Sequence, residues 1–164
     1  MIERSILENI CAYKQRLYSS FINDVEICEL LLNQKDYTDD DRDKLFYSQI
    51  FPYLYLDDTQ DKTLTYLCFE LDIPSSTDKL SSTIKNMKMV VFTYCHKDIM
   101  QYSKNENCGT RVDILSGMVE RILRNSYDFG IGKPELISVT NFSPNNKYYG
   151  KQLVYNIPQF KVKR

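Results

Sequence analysis

The sequence has no tryptophan, one alanine, one histidine, and five each of glycine and proline in 164 residues. The five cysteines (Cys11, Cys28, Cys68, Cys95, Cys108) show no C-x₂-C spacing. Zinc needs three or four ligands, and Cys95 and Cys108 are too few. No run approaches the roughly 18 apolar residues that span a bilayer. The N-terminal stretch MIERSILENICAYKQRL carries acidic residues where a secretion signal has an unbroken apolar core. The chain is therefore expected to stay where it is made, with its cysteines reduced and buried as small hydrophobes. What is abundant is tyrosine, thirteen of them, within an apolar fraction of 43% and a charged fraction of 26%. Those fractions belong to an ordinary globular protein, and the length suits one domain with a real core.

Charge is unevenly spread. Residues 1–82 hold 8 Lys/Arg against 16 Asp/Glu, a net −8, and residues 83–164 hold 13 against 6, a net +7. Folded together, the halves would neutralise one another. Alternatively, an acidic surface on one subunit meets a basic surface on its neighbour, and head-to-tail contacts of that kind close into rings.

Periodicity predicts a helix over residues 5–21, where Ile6, Ile10, Tyr13, Leu17 and Phe21 recur at spacings of three and four. Asn23 and Asp24 offer an N-cap to a second helix carrying Val25 to Leu32, and Thr38 with Asp41 forms a capping box for a third, through about Gln49. Thr65–Ile73 alternates as a half-buried strand, and Met87–His96 is apolar on both parities, as a strand covered on two sides would be. Residues 77–86 and 103–109 read as polar loops. Thr110–Asn125 is the best helical pattern, and Leu136–Phe142 and Tyr148–Ile157 read as strands joined by Ser143-Pro144-Asn145-Asn146. The expected fold is α+β in a single domain: a mixed or antiparallel four-stranded sheet, one crossing helix on its face, and a helical N-terminal section over residues 1–50.

The candidate chemistries do poorly. Cys95 and His96 are adjacent on a strand, so their side chains leave opposite faces and cannot form a nucleophile–base pair. Matching Asp39, Asp41 and Asp43 to a calcium loop puts Lys44 where glycine is required and Ile50 where the bidentate glutamate belongs. Gly130-Ile131-Gly132-Lys133 lacks phosphate-loop spacing and precedes a strand rather than a helix. Nothing selects a carboxylate pair among 22 acids. No cofactor or metal is expected, and the chain reads as an assembly subunit rather than an enzyme. A rival is nucleic-acid binding by Lys147, Lys151, Lys161, Lys163 and Arg164, interleaved with Tyr148, Tyr149, Tyr155 and Phe160.

The wording from Tyr66-Leu67-Cys68-Phe69-Glu70-Leu71-Asp72-Ile73-Pro74, through Tyr94-Cys95-His96-Lys97-Asp98 and Gly109-Thr110-Arg111-Val112-Asp113, to Phe129-Gly130-Ile131-Gly132-Lys133-Pro134 and the last strand pair resembles the neck proteins of tailed bacteriophages from low-GC Gram-positive hosts. These are of the tail-terminator, head-completion or minor-capsid type, and the likeness covers residues 64–160. It implies an α/β core assembled as a sixfold ring between portal and tail, in a virion built in the host cytoplasm. Its partners would be further copies of itself and other neck, portal or tail proteins. Nucleic acid would enter only as DNA passing the lumen, and no membrane is involved. The candidate inter-subunit contacts are Arg111 and Asp113 at the helix start, Lys147 and Lys151 in the basic region, and Asp57 and Asp58 in the acidic turn.

Overall fold

The computed structural model describes residues 6–56, 61–73, 83–104, 107–128 and 133–161. Its helices begin where short polar side chains can take up the free N–H groups of the first turn. After α1 (Ile6–Ile22), Asp24 accepts from the Ile27 amide to start α2 (Val25–Leu32). Asn33 closes α2 in the left-handed region, at φ 56°. Thr38 and Asp41 exchange both bonds of a capping box, at 3.0 and 3.2 Å, at the head of α3. The third helix is only Asp39–Asp43, shorter than its pattern predicts. Tyr47 sits at φ 58° and the Gln49 and Ile50 amides fold back to the Leu45 carbonyl, so the chain turns toward the sheet instead of extending the helix.

The sheet has five strands in the order β1-β2-β3-β7-β6. The four expected strands are all present: β2 (Thr65–Asp72), β3 (Thr83–His96), β6 (Glu135–Phe142) and β7 (Tyr148–Lys161). They pair antiparallel, with β3 and β7 joined along almost their whole length. Two-residue β1 (Ile50–Phe51) adds a parallel edge to β2 and makes the sheet mixed. The buried Gln49 side chain pins it, donating to the Leu31 carbonyl at 2.6 Å and the Thr65 carbonyl at 3.0 Å.

Two segments expected as loops are strands. Residues 83–86 extend β3, and 101–104 with 107–110 form a separate hairpin, β4 (Gln101–Lys104) and β5 (Asn107–Thr110). Residues 74–82 and the Gly130–Gly132 turn lie outside the described residues. Helix α4 (Arg111–Arg124), capped by Thr110, lies on the sheet against β3 and β7.

The sheet's two faces carry different cores. On the helix face, Leu67, Phe69, Met87, Met89, Val91, Leu153, Tyr155 and Ile157 meet Leu17, Phe21, Ile27, Leu30, Leu115 and Val119. On the other face Tyr66, Cys68, Phe92, Tyr94 and Tyr148 form an aromatic layer with Phe51, Tyr55 and Phe142. Tyr66 stacks on Tyr94 at 5.0 Å, and Tyr148 stands edge-on to both at 6.0 Å. Gly150 lies opposite Tyr94 and Phe142, and a Cβ there would sit 2.2 Å from the Thr93 carbonyl oxygen. Only glycine fits that contact.

Candidate functional site

Arg111 opens α4, yet its residue is only 4% exposed. Its Nε donates to the Ile99 carbonyl at 2.8 Å, Nη1 to the Leu30 carbonyl at 2.8 Å, and Nη2 to Asn33 Oδ1 at 2.9 Å. The guanidinium also lies over the Tyr102 ring, 4.9 Å from its centroid. It thereby ties α2, β4 and α4 together and takes up a carbonyl at the C-terminal end of α2, where a cation suits the helix dipole. Burial pulls its pKa below the ordinary guanidinium value. Arg111, expected to contact a neighbouring subunit, is held here by three bonds inside its own chain.

Beside it, between the end of α2 and the β4–β5 hairpin, is a cavity of about 310 Å³ lined by Glu29, Asn33, Lys35, Gln101, Lys104 and Arg111, among others. Lys104 pairs with Glu29 on its wall. Sequence reasoning missed this cavity, since α2 and the hairpin are some 70 positions apart and their polar residues carry no motif.

Asp113, one turn into α4, accepts from Lys151 of β7 at 2.5 Å. The Lys151 and Thr110 bonds hold its carboxyl below the usual carboxylate value. Lys147 pairs with Asp61, and Arg121 with Glu26 at 2.6 Å and Asp24 at 3.5 Å. With Lys104–Glu29, the Lys147 and Arg121 pairs join the basic half of the chain to the acidic half, while Asp113–Lys151 lies within the basic half. Of the six candidate contact residues, the structure brings together Asp113 and Lys151; Arg111 and Lys147 find other partners, and Asp57 and Asp58 lie outside the described residues.

Of the basic, tyrosine-rich C-terminal segment, Lys163 and Arg164 lie outside the described residues. Tyr148 and Tyr155 are buried, Tyr149 donates to Asn141 Oδ1 at 3.0 Å, and Lys147 and Lys151 face carboxylates. Cys95 and His96 do point to opposite faces: the Cys95 thiol is buried and pushed up to about 11 by desolvation, while His96 meets Tyr148 edge-on at 5.3 Å. Cys28 and Cys68 are also buried, the latter thiol pushed up to about 12 by burial. Contrary to expectation, Cys11 and Cys108 are exposed, Cys11 on the outer side of α1 and Cys108 on the solvated hairpin. Among the described residues no group of three His, Cys, Asp or Glu could hold a metal, and no helix is long and apolar enough to cross a membrane.

Large apolar groups come to the surface at the two ends of the sheet. Beyond β1, Phe46, Tyr47 and Tyr53 are 37%, 57% and 42% exposed; Tyr47 and Tyr53 lean on Phe51, and Phe46 on Tyr47. At the opposite end, edge strand β6 exposes Leu136, Ile137 and Val139, at 42%, 60% and 47%. Its pairing to β7 slips between Leu136 and Ser138, and from Ser138 to Phe142 it runs regularly. Among the described residues no strand pairs with its outer edge. Its sequence, ELISVTNF, has one charge and no Lys or Pro to guard that edge.

An α+β fold with an unguarded sheet edge, and with charge pairs made within the chain, is what this geometry describes. Residues 24–157 match the YomW family, and the chain belongs to it; the family is phage-derived. No curated protein and no solved structure matches the chain.

Proposed function

We propose that this protein is a structural subunit of a phage particle that assembles head-to-tail, the β6 end of one sheet meeting the β1 end of the next copy. The observation that carries the reading is the pair of unlike apolar ends, aliphatic at β6 and aromatic at β1. Unlike surfaces on one subunit make a heterologous contact, and such contacts close into rings when the rotation allows. A regular edge from Ser138 to Phe142 with unpaired backbone groups gives the contact direction and register. Membership of a phage-derived family supports placing the ring in a virion. The resemblance over residues 64–160 adds the finer proposal: a neck ring, of sixfold order, serving as tail terminator or head-completion protein. In this reading the charge split between the halves holds the subunit together, and apolar ends rather than opposed charges join its copies.

The test is a mixing experiment read by sedimentation. Val139→Lys charges one end; Tyr47→Asp charges the other and tolerates the left-handed backbone there. Wild type should sediment as a multimer and each variant as a monomer. An equal mixture should stop at a dimer, because each mixed pair retains one intact β6 end and one intact β1 end. A wild type that stays monomeric at its highest soluble concentration, or variants that assemble as wild type does, would reject the proposal.

A further inference from the structure

Arg111 carries a charge that its surroundings do not balance. Its three bonded partners, the Leu30 and Ile99 carbonyls and the Asn33 amide, are all neutral. Among the described residues no carboxylate pairs with it. A guanidinium has five N–H donors, so each terminal nitrogen keeps one N–H without a partner there. The C-terminal end of α2 offsets about half a charge at most, while the N-terminal end of α4, where Arg111 stands, adds positive potential. Groups ionised and desolvated in this way are ordinarily matched by an opposite charge.

The cavity of about 310 Å³ opens at this group. Lys35, Lys104 and Arg111 against Glu29 leave its lining at a net +2, and because Lys104 already holds Glu29, Lys35 and Arg111 supply the uncommitted charge. Asn33, Gln34 and Gln101 add amide groups that can donate to a planar oxyanion. Carboxylates are also what this chain carries in excess over its first 82 residues.

We propose that the cavity between α2 and the β4–β5 hairpin is a carboxylate-binding site, in which Arg111 and Lys35 receive a carboxylate borne by a small molecule or by an acidic side chain of a second copy. The site uses none of the residues exposed at the two sheet ends, so it can be tested on Val139→Lys as well as on wild type.

Acetate is the probe, titrated into the full chain at fixed pH and ionic strength with chloride as the balancing anion. The Arg111 Nε–H resonance should shift saturably with acetate. Gln101→Glu, at an exposed position on the cavity wall, places a carboxylate of nearly the same length there. It should weaken acetate binding by about tenfold or more, the scale of one charge-assisted bond, without lowering the melting temperature. Lys35→Gln, also exposed, should weaken binding in the same direction. Acetate that binds without changing the sedimenting mass of wild type assigns a small-molecule carboxylate. Acetate that binds and dissociates a wild-type multimer assigns the acidic side chain of a second copy. An Arg111 resonance no more sensitive to acetate than to chloride would overturn the proposal. So would unchanged acetate affinity in folded Gln101→Glu, or saturation by inorganic phosphate with none by acetate.

Discussion

The two faces of the sheet are closed by different means. Helices α1, α2 and α4 cover one face with aliphatic side chains, while the other is closed by the sheet's own tyrosines and the irregular segment that follows β1. The difference shows in the fate of buried hydroxyls. On the aromatic face, Tyr94 donates to the Tyr55 carbonyl and Tyr148 to the Lys62 carbonyl, the latter at 2.5 Å. On the helix face, Thr93 Oγ1 meets Ser116 Oγ of α4 at 2.7 Å, but among the described residues the Tyr155 hydroxyl and Thr65 Oγ1 are buried with no partner. A helix uses most of its carbonyls internally along its length, so it offers an overlying hydroxyl few backbone acceptors. An irregular segment has carbonyls to spare, and tyrosine suits the face that such a segment covers.

The sharpest way to break the aromatic face is Gly150→Ala. The added methyl would press on the Thr93 carbonyl and the Tyr94 Cα, which are backbone and cannot swing aside. We expect a loss of about 3 kcal/mol, measured by denaturant unfolding, with the helix face unaffected in kind. Paired tyrosine variants then compare the faces directly. Tyr148→Phe removes one of the two bonds to the Lys62 carbonyl, which the Leu64 amide also reaches, and should lower stability by about 1 kcal/mol, whereas Tyr155→Phe removes an unbonded buried hydroxyl and should be neutral or slightly stabilising. Equal losses for the two would show that hydroxyl pairing does not distinguish the faces.

The smallest effect concerns the rim of the helix face. Asp113 has a folded pKa below its ordinary 3.8, so its pair with Lys151 contributes fully above that value and is lost as pH falls through the folded value. The carboxylate side chain is 50% exposed, and solvent screening holds the contribution well under about 1 kcal/mol. Asp113→Asn should flatten the fall in melting temperature below about pH 4, and an unchanged acid limb would remove the pair from the balance.

Local chemistry made much of the fold legible. Asp24, Thr38 with Asp41, and Thr110 each marked a helix start, because a cap needs only residues two or three positions away. The four main strands showed through their apolar patterns for the same reason. β1 and the β4–β5 hairpin did not: β1 is two residues held by Gln49 reaching Leu31 and Thr65, and both hairpin strands keep largely exposed polar surfaces. The candidate site was less legible still. Arg111 and Asp113 were both singled out as contact charges; Asp113 is exposed, but Arg111 is buried, because whether a charge faces outward depends on what the rest of the chain stacks over it. Val139 was placed on a strand by its pattern, and only strand order made that strand an edge.

By itself the sequence determined the α+β class, the caps, the four long strands and the uneven charge of its halves. These follow from interactions over a few residues and from composition. Tertiary structure alone decided that basic residues of the second half meet acids of the first, that Arg111 lies at a polar cavity, and that the sheet ends in two unlike apolar edges. Those features join residues some 70 or more positions apart, and no local periodicity records which of them will meet.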